Sequence, residues 1–241
     1  MRMLSIELQK QKRTGIIPVL LAVGFLGAAY AYACFAVRKE TLLSLPLAPM
    51  DILLTQLYGM VLILNMFGIV VAACMIYHTE FTGSAIKKMY MLPVRVSGMY
   101  FCKLMILSVL FFTAVALQNL ALIHIGMTDL PEGTFIMKTL IYFALYSYVT
   151  AMPVLAFMLM AASRFENLWV PLGIGVAGFL SGMALANSSH DLVLLHPFVV
   201  MLKPAVAMSA RPEQSVILAA VMETLLFLGV GLWMAKNLRY E

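Results

Sequence analysis

Charged residues are scarce in this sequence. Asp, Glu, Lys and Arg together make up 11% of its 241 residues, whereas soluble domains average about a quarter. Hydrophobic residues make up 63%, and the mean hydropathy is +0.97. Because so little polar surface is available, the composition excludes a soluble catalytic domain within this length and predicts a membrane protein.

Catalytic and phosphate-binding motifs are lacking as well. The stretch from Gly83 to Lys87 has neither the second glycine nor the Gly-Lys-Ser/Thr ending of a Walker A loop. No His-Glu-x-x-His zinc motif and no Gly-x-Ser-x-Gly elbow occur, and the four histidines have no ligand spacing. We therefore expect no catalytic residue, no metal and no cofactor in this chain, which disfavours a membrane enzyme.

Cysteine is rare, with Cys34, Cys74 and Cys102 as the three present. Cys34 falls near the outer end of the first apolar run, and the other two fall near the inner ends of the next two runs. Because the membrane separates Cys34 from this inner pair, and the inner pair faces a reducing compartment, we expect no disulfide.

Long apolar runs, in contrast, are abundant. Six are long enough to cross a bilayer, which takes roughly 20 apolar residues, and they cover about 16–37, 52–77, 104–123, 139–163, 167–186 and 214–235. The runs are continuous and do not alternate as barrel strands do, so their backbones must be satisfied as helices. We predict an all-α membrane protein, with six transmembrane helices in a single domain over residues 1–241.

The positive charges are distributed unevenly between the two sides of these spans. With the N-terminus inside, the outer side has only five of the sixteen Lys and Arg residues: Arg38, Lys39, Lys138, Lys203 and Arg211. This asymmetry predicts that both termini are cytoplasmic. The net charge of +5 is then a sign of topology, and nucleic-acid binding is disfavoured because no basic domain exists to carry it.

The N-terminal residues 3–14 predict a short interfacial helix. Leu4 and Leu8 fall near one face, and Lys10 and Lys12 lie towards lipid headgroups. An ordinary basic flank of the first span explains the same residues equally well.

Prolines interrupt two apolar stretches. Pro153 lies near the middle of the fourth run, where it removes a backbone donor and predicts a kink. Residues 187–213 have an apolar middle that Pro197 and Pro204 break up, so we predict short helices that dip into the outer leaflet.

The polar break between the second and third runs is the most distinctive segment. It contains an acid, a glycine step, apolar residues among paired lysines, and then proline and arginine: Glu80, Gly83, Ile86, Lys87, Lys88, Leu92, Pro93 and Arg95. A plain membrane loop needs none of these. They predict a short interfacial helix on the cytoplasmic side, joined to both spans and presented to a soluble partner, with Glu80 paired to a basic residue such as Arg13 or Arg95.

Polar residues inside the spans are few. Glu223 falls near the middle of the last span, and an ionisable residue there is a functional candidate by default. It could line the substrate path, or it could pair with Asn65, Gln118 or Asn119 to hold helices together. Asn65, in the second span, is a second candidate for the path, although its default role is hydrogen bonding between helices.

Small residues could allow helices to approach closely. Gly178 and Gly182 are spaced by four residues in the fifth run, and Gly24 and Ala28 repeat this spacing in the first. These positions predict either an interface between subunits or close packing within one subunit.

Taken together, the six predicted helices, the surface helix, the polar hairpin and the dipping segments resemble the type-2 ABC exporter permease family. The specific part is the acid at Glu80 and the Gly83-Ser84 step, followed by Leu92-Pro93, Arg95 and Lys103. The likeness covers the whole chain in topology and about 25 residues in motif. The small size is similar to permeases of lantibiotic-immunity and bacitracin-type peptide exporters.

This resemblance implies a mechanism and partners. Two permease subunits pair, the second being different from or identical to this one, and separate ATPase subunits bind ATP and Mg²⁺ beneath them. The segment 80–95 would couple ATP hydrolysis to the spans. The cargo would be an amphipathic peptide expelled from the lipid of a bacterial cell membrane.

Other classes of function fit parts of the sequence. An ion-coupled carrier or channel would need charges or broken helices at the midplane, for which Glu223 and Pro153 are the support. A structural subunit without a transport role also agrees with the composition. Within the ABC family, lipid, drug or polysaccharide cargo remains open.

Overall fold

The computed structural model describes residues 2–12, 14–82, 96–131, 133–188, 190–207 and 209–237, with the backbone alone at positions 2, 3 and 191. These residues form eight α-helices and one short 3₁₀-helix, Asp191–Leu195. The α-helices are α1 (Arg2–Gln11), α2 (Ile16–Leu43), α3 (Pro49–Phe81), α4 (Val96–Thr128), α5 (Met137–Ala162), α6 (Trp169–Leu185), α7 (Pro197–Val206) and α8 (Gln214–Asn237). No strand occurs among them.

Five of the helices are long and apolar enough to cross a membrane: α2, α3, α4, α5 and α8. The all-α prediction and five of the six predicted spans are therefore confirmed as helices. α6 covers the remaining predicted span, 167–186, but has only 17 residues, or about 25 Å of helix against a hydrocarbon core of about 30 Å. Whether it crosses as a sixth span stays a prediction.

Two contacts define the ends of the bundle. At one end, which we call the basal end, Lys103 near the start of α4 meets Glu80 near the end of α3. At the other, the distal end, Lys39 of α2 pairs with Asp129 just after α4, with 2.6 Å between Nζ and Oδ1. The direction of each helix follows from these two ends.

α8 returns the chain from the distal to the basal end. The backbone N–H of Ala210 donates to Asp51 Oδ1 at 2.7 Å, which places the start of α8 beside the start of α3. Near its other end the carbonyl of Met234 accepts from Arg164, which follows α5. α5 and α8 are therefore parallel neighbours.

α6 and α7 are also parallel, although they follow one another in sequence. The Phe198 ring packs against Gly178 and Gly182, and Lys203 Nζ donates to the carbonyl of Ala186 at 3.3 Å. The chain must therefore turn back towards the basal end between residues 186 and 197. α7 starts near mid-bundle, where Phe198 meets Phe157 at 6.1 Å between ring centroids, and ascends to the distal end. We call residues 190–206 the re-entrant segment because the chain turns back within the bundle, and its place in the outer leaflet stays a prediction.

The core lies along α3 and α5, and α8 lies at the edge. The most apolar 18-residue stretches of α3 and α5 are 61% buried, against 22% for α8. Tyr58 and Phe143 join the two central helices edge to face, with ring centroids 5.5 Å apart. The outward side of α8 is left for lipid or another subunit.

Helix irregularities occur in α2 and α3, and the kink at Pro153 stays a prediction. α5 continues as a helix through Pro153. The backbone departs from helical angles at Arg38 in α2, with φ −113° and ψ 15°, and α3 contains a π-helical stretch, Ile52–Leu57. α2 also continues to Leu43, so residues 44–48 alone connect it to α3.

Candidate coupling site at the basal end

Four charged side chains meet at the basal end and join three helices. Glu7 and Lys10 come from α1, Glu80 comes from the last turn of α3, and Lys103 is the eighth residue of α4. We call this group the basal ion cluster. It brings the N-terminal helix into direct contact with both sides of the polar segment that follows Glu80.

Lys103 is the centre of the basal ion cluster. Its Nζ lies 2.6 Å from Glu7 Oε2 and 2.8 Å from Glu80 Oε1. Lys10 Nζ lies 2.9 Å from Glu7 Oε1 and 3.4 Å from the same Glu80 oxygen. The ammonium of Lys103 also lies 5.6 Å from the centre of the Tyr77 ring, which adds a cation–π contact.

The cluster is buried as well as balanced in charge. The side chains of Lys103, Glu7 and Glu80 are 1%, 2% and 5% exposed, whereas that of Lys10 is 40% exposed. Two buried carboxylates therefore face the buried ammonium of Lys103 and the partly exposed ammonium of Lys10. Removing one partner of such a group leaves an uncompensated buried charge, which costs about 3–5 kcal/mol.

Electrostatics within the cluster favour the ionised forms. Burial on its own raises the pKa of Glu7, but the charge and hydrogen bonds of Lys103 and Lys10 outweigh it and hold that pKa below 4.5. Burial likewise lowers the pKa of Lys10, but its contacts with Glu7 and Glu80 raise it above 10.5. Both groups are therefore charged at neutral pH.

The α1 helix turns its polar side towards the bundle. Glu7 and Gln11, one turn apart, are both 1% exposed. The Thr14 hydroxyl donates to the backbone carbonyl of Gln11 at 2.9 Å, and Gly15 follows with φ +78° before α2 begins. These contacts fix α1 against the start of α2.

Apolar residues of α1 face outward. Leu4, Ile6 and Leu8 are 40%, 56% and 40% exposed. Ser5, Gln9 and Lys12 are exposed as well, so the outward side of this segment combines apolar and polar residues, as expected of a helix at a membrane surface or beneath a partner.

Of the coupling residues that the sequence analysis names within 80–95, Glu80 is the one that the structure describes. Gly83, Ile86, Lys87, Lys88, Leu92, Pro93 and Arg95 lie outside the described residues. The predicted partners Arg13 and Arg95 also lie outside them. In the described part of the chain, Glu80 pairs with Lys103 and Lys10.

Sequence reasoning missed Glu7, and one signal pointed to it. Glu7 and Gln11 are spaced by four residues and so share one helical face of an otherwise apolar and basic segment. An acid at that spacing indicates a face that meets a basic group. The predicted third span begins at residue 104 and so leaves Lys103 outside it. In the structure Lys103 lies within α4, which begins at Val96.

Asn65 is engaged in a reciprocal pair within the bundle. Its Nδ2 donates to Gln118 Oε1 at 2.9 Å, and Gln118 Nε2 donates to Asn65 Oδ1 at 2.6 Å. Gln118 Nε2 also donates to the carbonyl of Val23 at 3.2 Å, so the pair joins α2, α3 and α4. Gly27 makes room for it, because a Cβ there would overlap the Gln118 side chain. The place of Asn65 on a substrate path stays a prediction.

Glu223 lies in α8, away from the basal ion cluster. It is 7% exposed, and neither of its carboxylate oxygens has a hydrogen-bond partner among the described residues. In particular it makes no hydrogen bond to Asn65, Gln118 or Asn119. Its role in a substrate path also stays a prediction.

The glycines of the predicted subunit interface contact side chains of the same chain. Gly178 and Gly182 face Phe198 of α7. Gly24 lies against the backbone of α4, where a Cβ on Gly24 would be 3.0 Å from the Cα of Ala114. These faces are filled within the subunit. A contact between subunits at α2 or α6 would have to use other faces of these helices, and such an interface stays a prediction.

The described ranges contain no group of side chains arranged to hold a metal ion. Nowhere in them do three His, Cys, Asp or Glu side chains come together in a way that could hold a metal ion. Cys34, Cys74 and Cys102 are free thiols. The chemistry of the described residues is thus that of charge pairing and helix packing.

Comparison with known proteins gives the family. The sequence model described as "ABC-2 family transporter protein" matches residues 3–182, about three quarters of the chain. No curated protein and no solved structure matched the chain. The matched region starts in α1 and includes the whole basal ion cluster and the segment between α3 and α4. The chain therefore belongs to the ABC-2 transporter family, as a membrane-spanning permease component that works with an ABC ATPase.

Proposed function

We propose that this chain is the permease subunit of an ATP-driven exporter, coupled to its ATPase through the segment 80–95. ATP and Mg²⁺ bind to the separate ATPase subunits, and this chain binds neither. The observation that carries the proposal is the basal ion cluster, because Glu80 and Lys103 hold the two sides of that segment together on α1.

The basal ion cluster can transmit movement of the segment 80–95 to the helices of the bundle. A force on residues 83–95 acts at the end of α3 and the start of α4. Since Lys103 joins Glu80 to Glu7, α1 must move with these two helix ends or the buried ion pairs must break. The cost of breaking them, about 3–5 kcal/mol, favours movement of the three helices as one unit.

The proposed orientation places the basal end in the cytoplasm of a bacterial cell. α1 then lies on the inner leaflet, with Leu4, Ile6 and Leu8 in lipid or beneath the ATPase. α6 crosses as the sixth span, since it runs from the basal end towards the distal end, so that both termini are cytoplasmic. The α7 segment then enters the outer leaflet from outside.

The proposed cargo is an amphipathic antimicrobial peptide of the lantibiotic type, expelled from the membrane to give immunity or resistance. Support comes from the re-entrant segment, whose Leu192 and Leu195 are 79% and 73% exposed. Such residues suit a lateral exit through the outer leaflet better than a polar pore. Glu223 and Asn65 are the candidates for a cationic or polar contact along this path.

A second permease subunit completes the proposed complex. It is either a different chain or a second copy of this one, and the outward side of α8 is available to it. Lipid, drug and polysaccharide are the competing cargo classes.

The test of coupling uses the permease and its ATPase reconstituted together in lipid nanodiscs. Ile86→Asp and Leu92→Asp should abolish the cargo-stimulated part of ATP hydrolysis and leave membrane insertion intact. Lys138→Glu, a charge change in an exposed distal position, is the control and should leave stimulation unchanged. Stimulation that survives both segment variants would contradict the assignment.

The test of cargo measures resistance of cells that express the whole complex. Expression should raise the inhibitory concentration of a cationic amphipathic peptide several-fold, and a hydrolysis-deficient ATPase should remove that rise. Equal sensitivity with and without the complex would exclude peptide export and move the other cargo classes forward.

A further inference from the structure

The buried strip of α8 contains one ionisable residue, Glu223, for which the proposed cargo contact names no partner within the bundle. Val216, Ala220, Glu223 and Gly231 are the buried residues of this helix. Neither oxygen of Glu223 accepts a hydrogen bond from a described residue, and no ion pair to it occurs in the described ranges. A charged carboxylate is costly in the interior of a membrane protein, so this position favours the neutral acid, which has one O–H to donate.

The packing of α8 against α5 shows what lies opposite Glu223. The rings of Phe157 and Phe227 meet with centroids 5.2 Å apart, and Arg164 donates to the carbonyl of Met234. Both pairs are 70 residues apart in sequence, and the two helices are parallel. The same offset places Glu223 level with Pro153.

Pro153 leaves a backbone acceptor in α5 without its helical donor. Proline has no N–H, so the carbonyl of Val149, four residues earlier, loses the bond that an ordinary residue at 153 would make. Helix side chains lean towards the N-terminus of their helix. The side chain of Glu223 therefore extends from the level of Pro153 towards the level of Val149.

Residues 153 and 157 are one turn apart, so they share the side of α5 that Phe157 presents to α8. Glu223 is one turn from Phe227 and shares the side of α8 that carries the matching ring. The acid and the acceptor that lacks its donor are thus on facing sides of two packed helices, at nearly the same depth.

We propose that Glu223 is a positioning residue whose neutral carboxyl donates a hydrogen bond to the backbone carbonyl of Val149 and so supports α5 where Pro153 interrupts its bonding. The bond fastens α8 to the middle of α5. The inference concerns this chain alone and does not depend on the cargo or the partner.

The test is a double-mutant cycle on the full-length chain in lipid nanodiscs. Glu223→Gln keeps a donor without an ionisable group, whereas Glu223→Met keeps the length and removes the donor. Pro153→Ala restores the N–H that serves Val149, so it should make the donor at 223 unnecessary. Met222→Leu, at an exposed neighbouring position, is the control for substitution in α8.

The expected pattern is specific to a donated hydrogen bond. Glu223→Met should lower the apparent Tm by roughly 2–4 °C, the effect of about one hydrogen bond in a chain of this size. Glu223→Gln and Met222→Leu should leave it near the starting value. In the Pro153→Ala background, Glu223→Met should have little effect.

Infrared difference spectroscopy supplies a readout that packing alone would not change. The band of a protonated carboxylic acid should be present in the starting chain, absent from Glu223→Gln, and shifted in Pro153→Ala as its hydrogen bond is lost. If Glu223→Met fails to fold except in the Pro153→Ala background, the proposal is supported. The proposal would be overturned if Glu223→Met failed to fold, or lowered the Tm equally, with and without Pro153→Ala. A missing acid band in the starting chain would also overturn it.

Discussion

The ammonium of Lys103 lies 2.6 Å from the carboxylate of Glu7, 96 residues away in sequence, and both side chains are almost fully buried. This one ion pair joins an N-terminal surface helix to the start of a membrane-crossing helix. Glu80 shares the same ammonium group. The arrangement means that α1, α3 and α4 have a common attachment next to the segment that we assign to coupling.

Removal of Lys103 should destabilise the basal end strongly. Lys103→Met leaves Glu7 and Glu80 buried beside each other with Lys10 as the remaining cation of the basal ion cluster, and we expect a loss of about 3–5 kcal/mol. Thermal unfolding in nanodiscs measures it. Lys39→Met, which breaks the exposed distal pair with Asp129, is the matched control and should change little. Equal effects of the two variants would contradict a special role for the cluster.

The acid dependence of stability should report on Glu7. Its pKa is lower in the folded chain than the ordinary value of 4.5, so its contribution is present above about pH 4.5 and is lost as the pH falls through the folded pKa. Unfolding measured across this acid range should show a fall in stability that Glu7→Gln reduces. A Glu7→Gln variant with the same acid profile as the starting chain would show that Glu7 is not held ionised by Lys103.

The pair of Asn65 and Gln118 should behave as one unit in a mutant cycle. Gln118→Leu leaves the Asn65 amide and the Val23 carbonyl without their partner, whereas Asn65→Leu with Gln118→Leu removes both side chains. We expect the double variant to lose less than the sum of the single losses, with a coupling of about 1 kcal/mol. Additive losses would mean that the amides do not interact. A normal fold with altered transport in Asn65→Leu would instead favour the substrate path.

Gly178 should be intolerant of a larger side chain for an internal reason. Gly178→Leu forces the Phe198 ring away and should displace α7, which lowers the Tm of the single subunit. Gly173→Leu is the control, since a Cβ there meets no atom of the described residues within 4 Å. Loss of subunit pairing with an unchanged Tm in Gly178→Leu would point to the subunit interface that the glycine spacing also predicts.

Much of the fold follows from hydropathy because lipid leaves an apolar backbone no alternative to a helix. The predicted spans 139–163 and 214–235 lie close to the observed Met137–Ala162 and Gln214–Asn237. The third span is predicted at 104–123, but α4 covers Val96–Thr128. Its extra basal turns carry Lys103, whose charge is satisfied by Glu7 of α1 rather than by lipid.

The site itself was only partly predictable. Glu80 stands out in the sequence because an acid follows a long apolar run. Its partners could not be read from spacing, since Glu7 and Lys103 are brought to it by the tertiary packing of α1 against α4. The direction of α7 depends in the same way on the fit of Phe198 against two glycines of α6.

The most direct test of the central claim is affinity purification of the tagged chain from its native membrane, with and without Lys87→Glu and Lys88→Glu together. The account predicts that an ATPase with a Walker A motif co-purifies with the starting chain. The double variant should lose that ATPase while it remains folded and inserted in the membrane. A chain that purifies without any ATPase, or one that keeps its ATPase after both charges are reversed, would contradict coupling through this segment.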